Sequence, residues 1–311
     1  MEPQFLVSAL GPRGGPFEDS CTCFLIKAYS EAWDDGCLAA LDAGSLLSGL
    51  RNGLLLQLLP NDPLAQLLKR GMSKASPIRI DENMIADSAL PFKMDSSPTR
   101  ALYDNCIHIV RHLIKSFCIT HAHLDHISAL ALCSPIFIPH SPKRVYSSQH
   151  SIDLLQKHIF NDSIWPDLTT SGTGLISLHE IDSTSYIPIA NGLEAIAFPL
   201  SHGNVLSLGF LVRNSSSDTY ALFLGDMEAD SISKKDYNSS LWKHVSPLIH
   251  ANKLRALFME CSYPDERPSD CLFGHLTPTY AIQELLSLRP FGVFHAREDG
   301  REWRNYTRGP H

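Results

Sequence analysis

Short apolar runs alternate with amphipathic stretches along the chain, and the two periods predict an ordered succession of strands and helices. Runs of apolar and β-branched residues, each closed by a turn with a polar residue, predict strands over 5–10, 21–28, 37–41, 117–120, 136–139, 193–199, 207–212, 220–224 and 254–259. Apolar residues at i, i+3 and i+4 predict helices over 52–68, 99–114, 125–132, 141–158, 242–249 and 278–288. Residues 69–98 break both periods with Ser, Pro and Asp and read as an irregular insertion, while 214–218 and 230–240 read as solvated loops. Residues 297–311 are polar, rich in Arg and Gly, and read as a tail. No internal repeat is visible, and the class is an α/β alternation.

The 311 residues, 44% of them hydrophobic, can bury a large core in one domain or two small ones. A net charge of −7 without any Lys/Arg cluster provides no field to hold a nucleic-acid backbone, so no nucleic-acid partner is expected. No apolar run approaches the ~18 residues that cross a bilayer, and the first thirty residues lack the basic start and apolar core of a secretory signal. A cytoplasmic protein without a membrane partner is expected. The eight cysteines lie in apolar stretches, which suits buried thiols in a reducing compartment. Cys21-Thr-Cys23 resembles a ligand pair, but strand alternation sends both thiols to one buried face and favours packing.

Fifteen histidines are more than packing needs. Nine of them (108, 112, 140, 150, 158, 179, 244, 250 and 311) have no partners at ligand spacing and read as structural. His121, His123, Asp125 and His126 differ, placing four ligand-type groups within six residues directly after an apolar strand. Imidazole and carboxylate suit Zn²⁺, Mn²⁺ or Fe, and the lack of thiolates at this spacing argues against a purely structural zinc site. Leaving the strand, His121 and His123 are expected to serve one ion, with Asp125 and His126 opening a helix toward a second. One motif cannot surround two ions, so further ligands are expected at neighbouring strand ends. His202 in Phe-Pro-Leu-Ser-His-Gly and Asp226 in Phe-Leu-Gly-Asp-Met-Glu occupy such positions, each beside a glycine that permits close approach. Asp42 in Leu-Asp-Ala-Gly-Ser is a similar strand-end acid, expected to orient a histidine through its free ring N–H.

These pieces resemble the metallo-β-lactamase superfamily, and more narrowly the class II cyclic-nucleotide phosphodiesterases of the fungal low-affinity cyclic AMP type. The narrower resemblance rests on His121-Ala-His-Leu-Asp-His-Ile followed by Ser134-Pro135, on Ile159-Phe-Asn-Asp-Ser-Ile-Trp-Pro-Asp-Leu168, on Leu272-Phe-Gly-His-Leu-Thr-Pro278 and on Leu10-Gly-Pro-Arg-Gly-Gly-Pro16. It implies an αββα four-layer sandwich over a single domain, 1–296, with metals at one edge. It also implies hydrolysis of 3′,5′-cyclic nucleotides, cyclic AMP first and cyclic GMP second, to 5′-monophosphates. By the same resemblance His121, His123 and His202 hold one ion, Asp125, His126 and a last histidine hold the other, and Asp226 bridges. Asp125 and His275 would be the catalytic pair, His275 without binding metal. The implied cofactors are two divalent ions, zinc first, and the assembly is left open between monomer and homodimer. Two ions roughly 3.5–4 Å apart lower the pKa of a shared water toward about 7 and provide hydroxide for attack on phosphorus. Trp165 reads as core packing first and base stacking second.

The chain departs from the family pattern at Ala129 and Ala131, where small or branched residues differ, and after Leu288. There the family carries a His-Ile-Lys-Pro-like segment, whereas this chain reads Phe291-Gly-Val-Phe-His-Ala-Arg297. His295 follows a short apolar run and is the candidate last ligand, in a C-terminus that is atypical or truncated. Two alternatives stand beside the phosphodiesterase. A tRNA 3′-end nuclease would use Glu260 and His275-Leu-Thr277 but would need a basic arm. An inactive metal-binding homologue would account for the altered C-terminus.

Overall fold

The computed structural model describes residues 3–58, 85–87 and 98–288. One sheet holds β1 (Phe5–Gly11), β2 (Cys23–Ala28), β3 (Leu38–Leu41), β4 (Ile85–Asp87), β5 (Ile114–Cys118), β6 (Lys143–Ser147) and β7 (Ile176–Glu180) in the order β4-β1-β2-β3-β5-β6-β7. Strands β1, β2 and β3 pair antiparallel, while β3, β5, β6 and β7 run parallel. The second sheet holds β8 (Ile187–Ala190), β9 (Leu193–His202), β10 (Val205–Asn214), β11 (Thr219–Leu224) and β12 (Leu254–Phe258) in the order β12-β11-β10-β9-β8. Parallel neighbours need crossovers, and helices supply them. The helices are α1 (Leu46–Leu58), α2 (Pro98–His108), α3 (Leu124–Leu132), α4 (Gln149–Leu154), α5 (Asp230–Ser233), α6 (Tyr237–His250) and α7 (Pro278–Leu286); single π-helical turns extend α2 to Leu113 and α4 to Ile159.

Strand alternation sorts the apolar residues into three cores. On β2 and β3, Leu25, Leu38 and Ala40 face α1, α2 and α3, where they meet Leu50, Cys106 and Leu130. Their neighbours Ile26, Ala39 and Leu41 face the other sheet and meet Ala195, Phe210, Val212 and Phe223. The far face of that second sheet, with Ile196, Leu211 and Leu222, packs on Leu241, Trp242 and Val245 of α6 and Ala281 of α7. Both sheets are therefore buried on two faces, which explains why several strands read as continuous apolar runs. The layers are helix, sheet, sheet, helix, the four-layer order that the family resemblance implies.

Several elements differ from expectation. Residues 141–158 split into β6 and α4, because Ser141-Pro142 imitates a helix start while Lys143, Val145 and Tyr146 are in fact strand residues; the helix begins only where Ser148 accepts from the Ser151 N–H. The apolar run 136–139 forms no strand: Ser134–Ile136 is a 3₁₀ turn, and Ile138 makes a single bridge to Ser141. Residues 230–240 hold α5 and the start of α6, with the Asp230 carboxylate accepting from the N–H groups of Asn238 (3.1 Å) and Ser239 (2.8 Å). Strands β7 and β8 went unpredicted, and the end of the expected helix 52–68 lies outside the described residues. So does most of 69–98, but Ile85–Asp87 within it pairs parallel with Phe5 to Val7. Cys21 and Cys23 are both buried free thiols, and burial pushes the Cys23 thiol well above its ordinary value, so it stays protonated.

Phe210, fully buried between the sheets, fixes their spacing. Phe210→Ala is expected to cost about 3–5 kcal/mol in urea unfolding; a loss under about 1 kcal/mol would contradict close face-to-face packing.

Candidate metal centre

Side chains gather where β5, β9, β11 and β12 end. Strand β5 stops at Cys118, and three residues later His121 lies fully buried. His123 takes extended backbone as the N-cap of α3, which places Asp125 and His126 in the first turn. That helix is pinned to the loop after β3: Ala43 N–H donates to His126 O and Ala129 N–H to Ala43 O, both at 2.7 Å. The approach needs Gly44, since a Cβ there would lie 2.2 Å from Asp125 O. His202 ends β9 at a two-residue turn, and Asp226 follows β11.

The ring nitrogens converge. His121 Nε2 lies 3.0 Å from His123 Nδ1, and His202 Nε2 lies 3.3 Å from the same atom. Asp226 Oδ2 lies 3.3 Å from His126 Nε2 and 3.9 Å from His121 Nε2, His202 Nε2 and His275 Nδ1. Asp125 stands at the rim, its Oδ2 3.8 Å from His126 Nε2. Among the described residues, the structural histidines of the sequence reading stay outside these clusters. His295 lies outside the described residues.

Each ring is held from behind. His126 Nδ1 meets Asp42 Oδ2 at 2.7 Å, and Asp42 also accepts from the Thr120 N–H (2.8 Å) and hydroxyl (2.9 Å). The Asp42 backbone is left-handed, φ 57°, a conformation acids tolerate better than most residues. His202 Nδ1 donates to Gly274 O at 2.8 Å, which fixes the tautomer and leaves Nε2 facing the cluster. Gly274 has φ 85°, and a Cβ on it would fall 2.3 Å from Gly203 N, so only glycine lets this loop rest on His202. The same loop carries His275, whose Nδ1 bonds Glu260 Oε1 at 2.8 Å. Glu260 is the site residue that sequence reading did not place in the centre. It follows β12 as Asp42 follows β3 and Asp226 β11, so the strand-end signal was present.

Electrostatics describe a pocket that calls for positive charge. Burial pushes His121 down to about 2, helped by the charge of His126, so its ring is neutral and a ligand for a cation. Burial also lowers His123. For His126 burial acts downward, but the charge of Asp42 and the hydrogen bonding and charge of Asp226 outweigh it and hold the ring well above its ordinary value. Burial would raise Asp226, yet His126, then His121 and His275, keep it ionised and well below the usual carboxylate range. His126 Nε2 is buried without a well-formed hydrogen bond. Ligand nitrogens about 2.0–2.1 Å from one zinc stand about 3.3 Å apart in a tetrahedron, and the 3.0 and 3.3 Å separations among His121, His123 and His202 match that edge. The residues fit a metal. Beside them opens a cavity of about 440 Å³, lined by His123, His202, Asn204, Glu228, Ile232 and Phe273 among others, within the size range of small-molecule sites. Trp165 packs on the first core and donates to Ser134 Oγ at 3.1 Å, so it is a packing residue.

Comparison with known proteins agrees with this geometry. The family model for class-II cAMP phosphodiesterases matches residues 93–296. The chain belongs to that family. A 3′,5′-cyclic-nucleotide phosphodiesterase of Schizosaccharomyces pombe is 32% identical over 93% of this chain and 76% of its own length, and one of Aliivibrio fischeri is 28% identical over 89% and 73%. The crystal structure of unliganded yeast PDE1 superposes with a TM-score of 0.71 at 26% identity, covering 92% of this chain and 83% of that one. Membership removes the tRNA nuclease alternative. Within the described residues, no helix of this phosphodiesterase is long and apolar enough to cross a membrane.

Asp42→Asn keeps the shape but removes the charge behind His126. Metal affinity is expected to fall about 10–100-fold, read by competition with a chromogenic chelator; unchanged affinity would remove Asp42 from the centre.

Proposed function

We propose that this phosphodiesterase opens the 3′,5′-cyclic phosphate of cyclic AMP, with cyclic GMP as a second substrate, to give the nucleoside 5′-monophosphate at a two-zinc centre. One observation carries the reading: a single carboxylate oxygen, Asp226 Oδ2, lies 3.3–3.9 Å from ring nitrogens of His121, His126, His202 and His275. That central position suits a ligand shared by two ions. His121, His123 and His202 would hold the first. Asp125 and His126 would hold the second, with His295 as its last ligand. Residues 1–296 would form the one domain, and the buried free thiols suit a cytoplasmic setting.

When bound, the ions supply Lewis acidity toward the phosphoryl oxygens and hydroxide at neutral pH. The chain's own groups do the rest. Asp125, at the rim, would receive the proton of the attacking water. His275 keeps Nδ1 on Glu260, which leaves Nε2 for the reaction. Burial lowers its pKa, but the hydrogen bond and charge of Glu260, with Asp226, more than offset this and hold it above the ordinary value. A histidine kept protonated in this way can donate to the departing 3′-oxygen. The 440 Å³ cavity beside His202 has room for one nucleoside and none for a folded polymer, which supports a mononucleotide substrate.

Zinc-loaded enzyme incubated with cyclic AMP is expected to release 5′-AMP, with two ions per chain; release of 3′-AMP, or no turnover at full loading, would sink the reading. His275→Ala is expected to lower kcat about 10²–10⁴-fold while both ions stay bound. Loss of an ion would make His275 a ligand instead.

A further inference from the structure

We propose that a cavity at the amino-terminal ends of β5 and β6, at the opposite end of the sheet from the metal centre, binds a phosphorylated small molecule. The cavity measures about 560 Å³, and its wall carries Arg111, His112, Lys115, His140, Lys143 and Arg144. Four permanent cations thus face one lining carboxylate, Asp35, in a chain whose net charge is −7. A concave surface of one sign focuses its field on an ion of the other.

How these cations are paired is the deciding observation. Elsewhere some basic side chains meet acids, Arg213 Nε lying 2.9 Å from Asp218 Oδ1 and Lys253 reaching the same carboxylate, while others, such as Lys27 and Arg267, singly meet backbone carbonyls. In the cavity they meet only neutral oxygens. Lys143, 3% exposed, donates to Arg111 O at 2.8 Å and to Ile114 O. Arg111 Nε donates to Ile136 O at 3.1 Å, and Lys115 Nζ lies 3.5 Å from Asn191 Oδ1. Among the described residues, none of Arg111, Lys115, Lys143 or Arg144 has a carboxylate within 4.0 Å. Asp35 itself lies 3.7 Å from His112. Positive charge is therefore gathered in excess, four cationic side chains against the one carboxylate of Asp35, around a space that a small molecule can enter. Burial pulls Lys143 down to about 8, so it remains charged at neutral pH.

The class of ligand follows from charge and size. Two guanidinium and two ammonium groups around one concavity suit a dianionic phosphate, which accepts several charge-assisted hydrogen bonds at once. The volume lies in the range of organic ligands, and Ile138 and Pro142 give an apolar wall for the part that bears the phosphate. Lys115 and His121 are six residues apart along the chain, roughly 20 Å at about 3.3 Å per strand residue. An occupant could not share an ion or a phosphate with the metal centre, and would be an effector or cargo rather than substrate.

The test is calorimetric titration of the metal-loaded enzyme with ribose 5-phosphate and, separately, inorganic phosphate, using wild type and the double variant Lys115→Glu, Arg144→Glu. Ribose 5-phosphate is expected to bind wild type, and the double variant at least about tenfold more weakly. Cyclic AMP turnover without the probe should stay unchanged. Equal binding of inorganic phosphate at the same residues would support the site and assign it to the free anion. Binding shared by both proteins belongs to the metal centre, so equal constants in the two, or no binding by wild type, would overturn the proposal. Arg144→Gln, a milder change at an exposed position, serves if the double variant melts early, with several-fold weakening expected.

Discussion

The centre depends on one electrostatic constraint: Asp226 is half-buried, ionised and ringed by imidazoles that cannot all be protonated. A buried carboxylate costs free energy unless it is paired, and here the nearest partner ring, His126, is claimed on its other side by Asp42. His126 offsets part of that charge, and the neutral ring of His121 beside Asp226 is left to take a cation. The rest of the structure holds that arrangement in place. Asp226 and His202 belong to strands separated by β10 in one sheet, while His121 and His126 follow β5 in the other. Sheet spacing therefore sets ligand spacing, and the inter-sheet core with Phe210 and Phe223 is part of the site's construction.

The supports behind the rings differ in charge, and the difference has a chemical sense. His126 is backed by a carboxylate, which raises its basicity, whereas His202 is backed by a backbone carbonyl, a weaker acceptor. His275 is again backed by a carboxylate, Glu260, itself fixed by the Met227 N–H at 3.0 Å and the Ser262 hydroxyl at 2.6 Å. Glu260 thus joins the segment after Asp226 to His275, so the bridging acid and the proton donor are positioned through one side chain. Glycines 44 and 274 let two further loops close on the centre, Gly44 against Asp125 and Gly274 against His202 and Gly203, by removing a Cβ where loops touch.

Much of this was legible from residue type and place. A polar residue at the end of an apolar strand pointed to Asp42, His202 and Asp226, because a sheet exposes its strand ends together at one edge. The same rule would have found Glu260, which had been weighed only for a nuclease. Pairing partners were less legible. Lys143 looks like a surface residue opening a helix, but its ammonium is buried against two carbonyls at the start of β6, a tertiary compensation that local pattern cannot show. The 136–139 run failed for a related reason, since four apolar residues fit a strand or a packed turn equally well. The motif Phe-Gly-His-Leu-Thr-Pro was visible as a string, but its purpose was not. Gly274 supports His202, His275 enters the centre, and Thr277 with Pro278 starts α7.

An acidic chain that acts on an anion must concentrate positive charge locally, and the two ends of β5 do so by different means. At the carboxyl end the raised rings of His126 and His275 are offset by Asp42, Asp226 and Glu260, so the chain alone attracts a phosphate weakly until cations arrive. Affinity for substrate there is thus conditional on metal. At the amino end Lys115, Lys143, Arg111 and Arg144 carry their charge at neutral pH without a metal. The net charge of −7 is consistent with both, because at physiological salt a field decays over about 8 Å and only the acids that line a concavity, such as Asp35 at the amino end, act strongly within it.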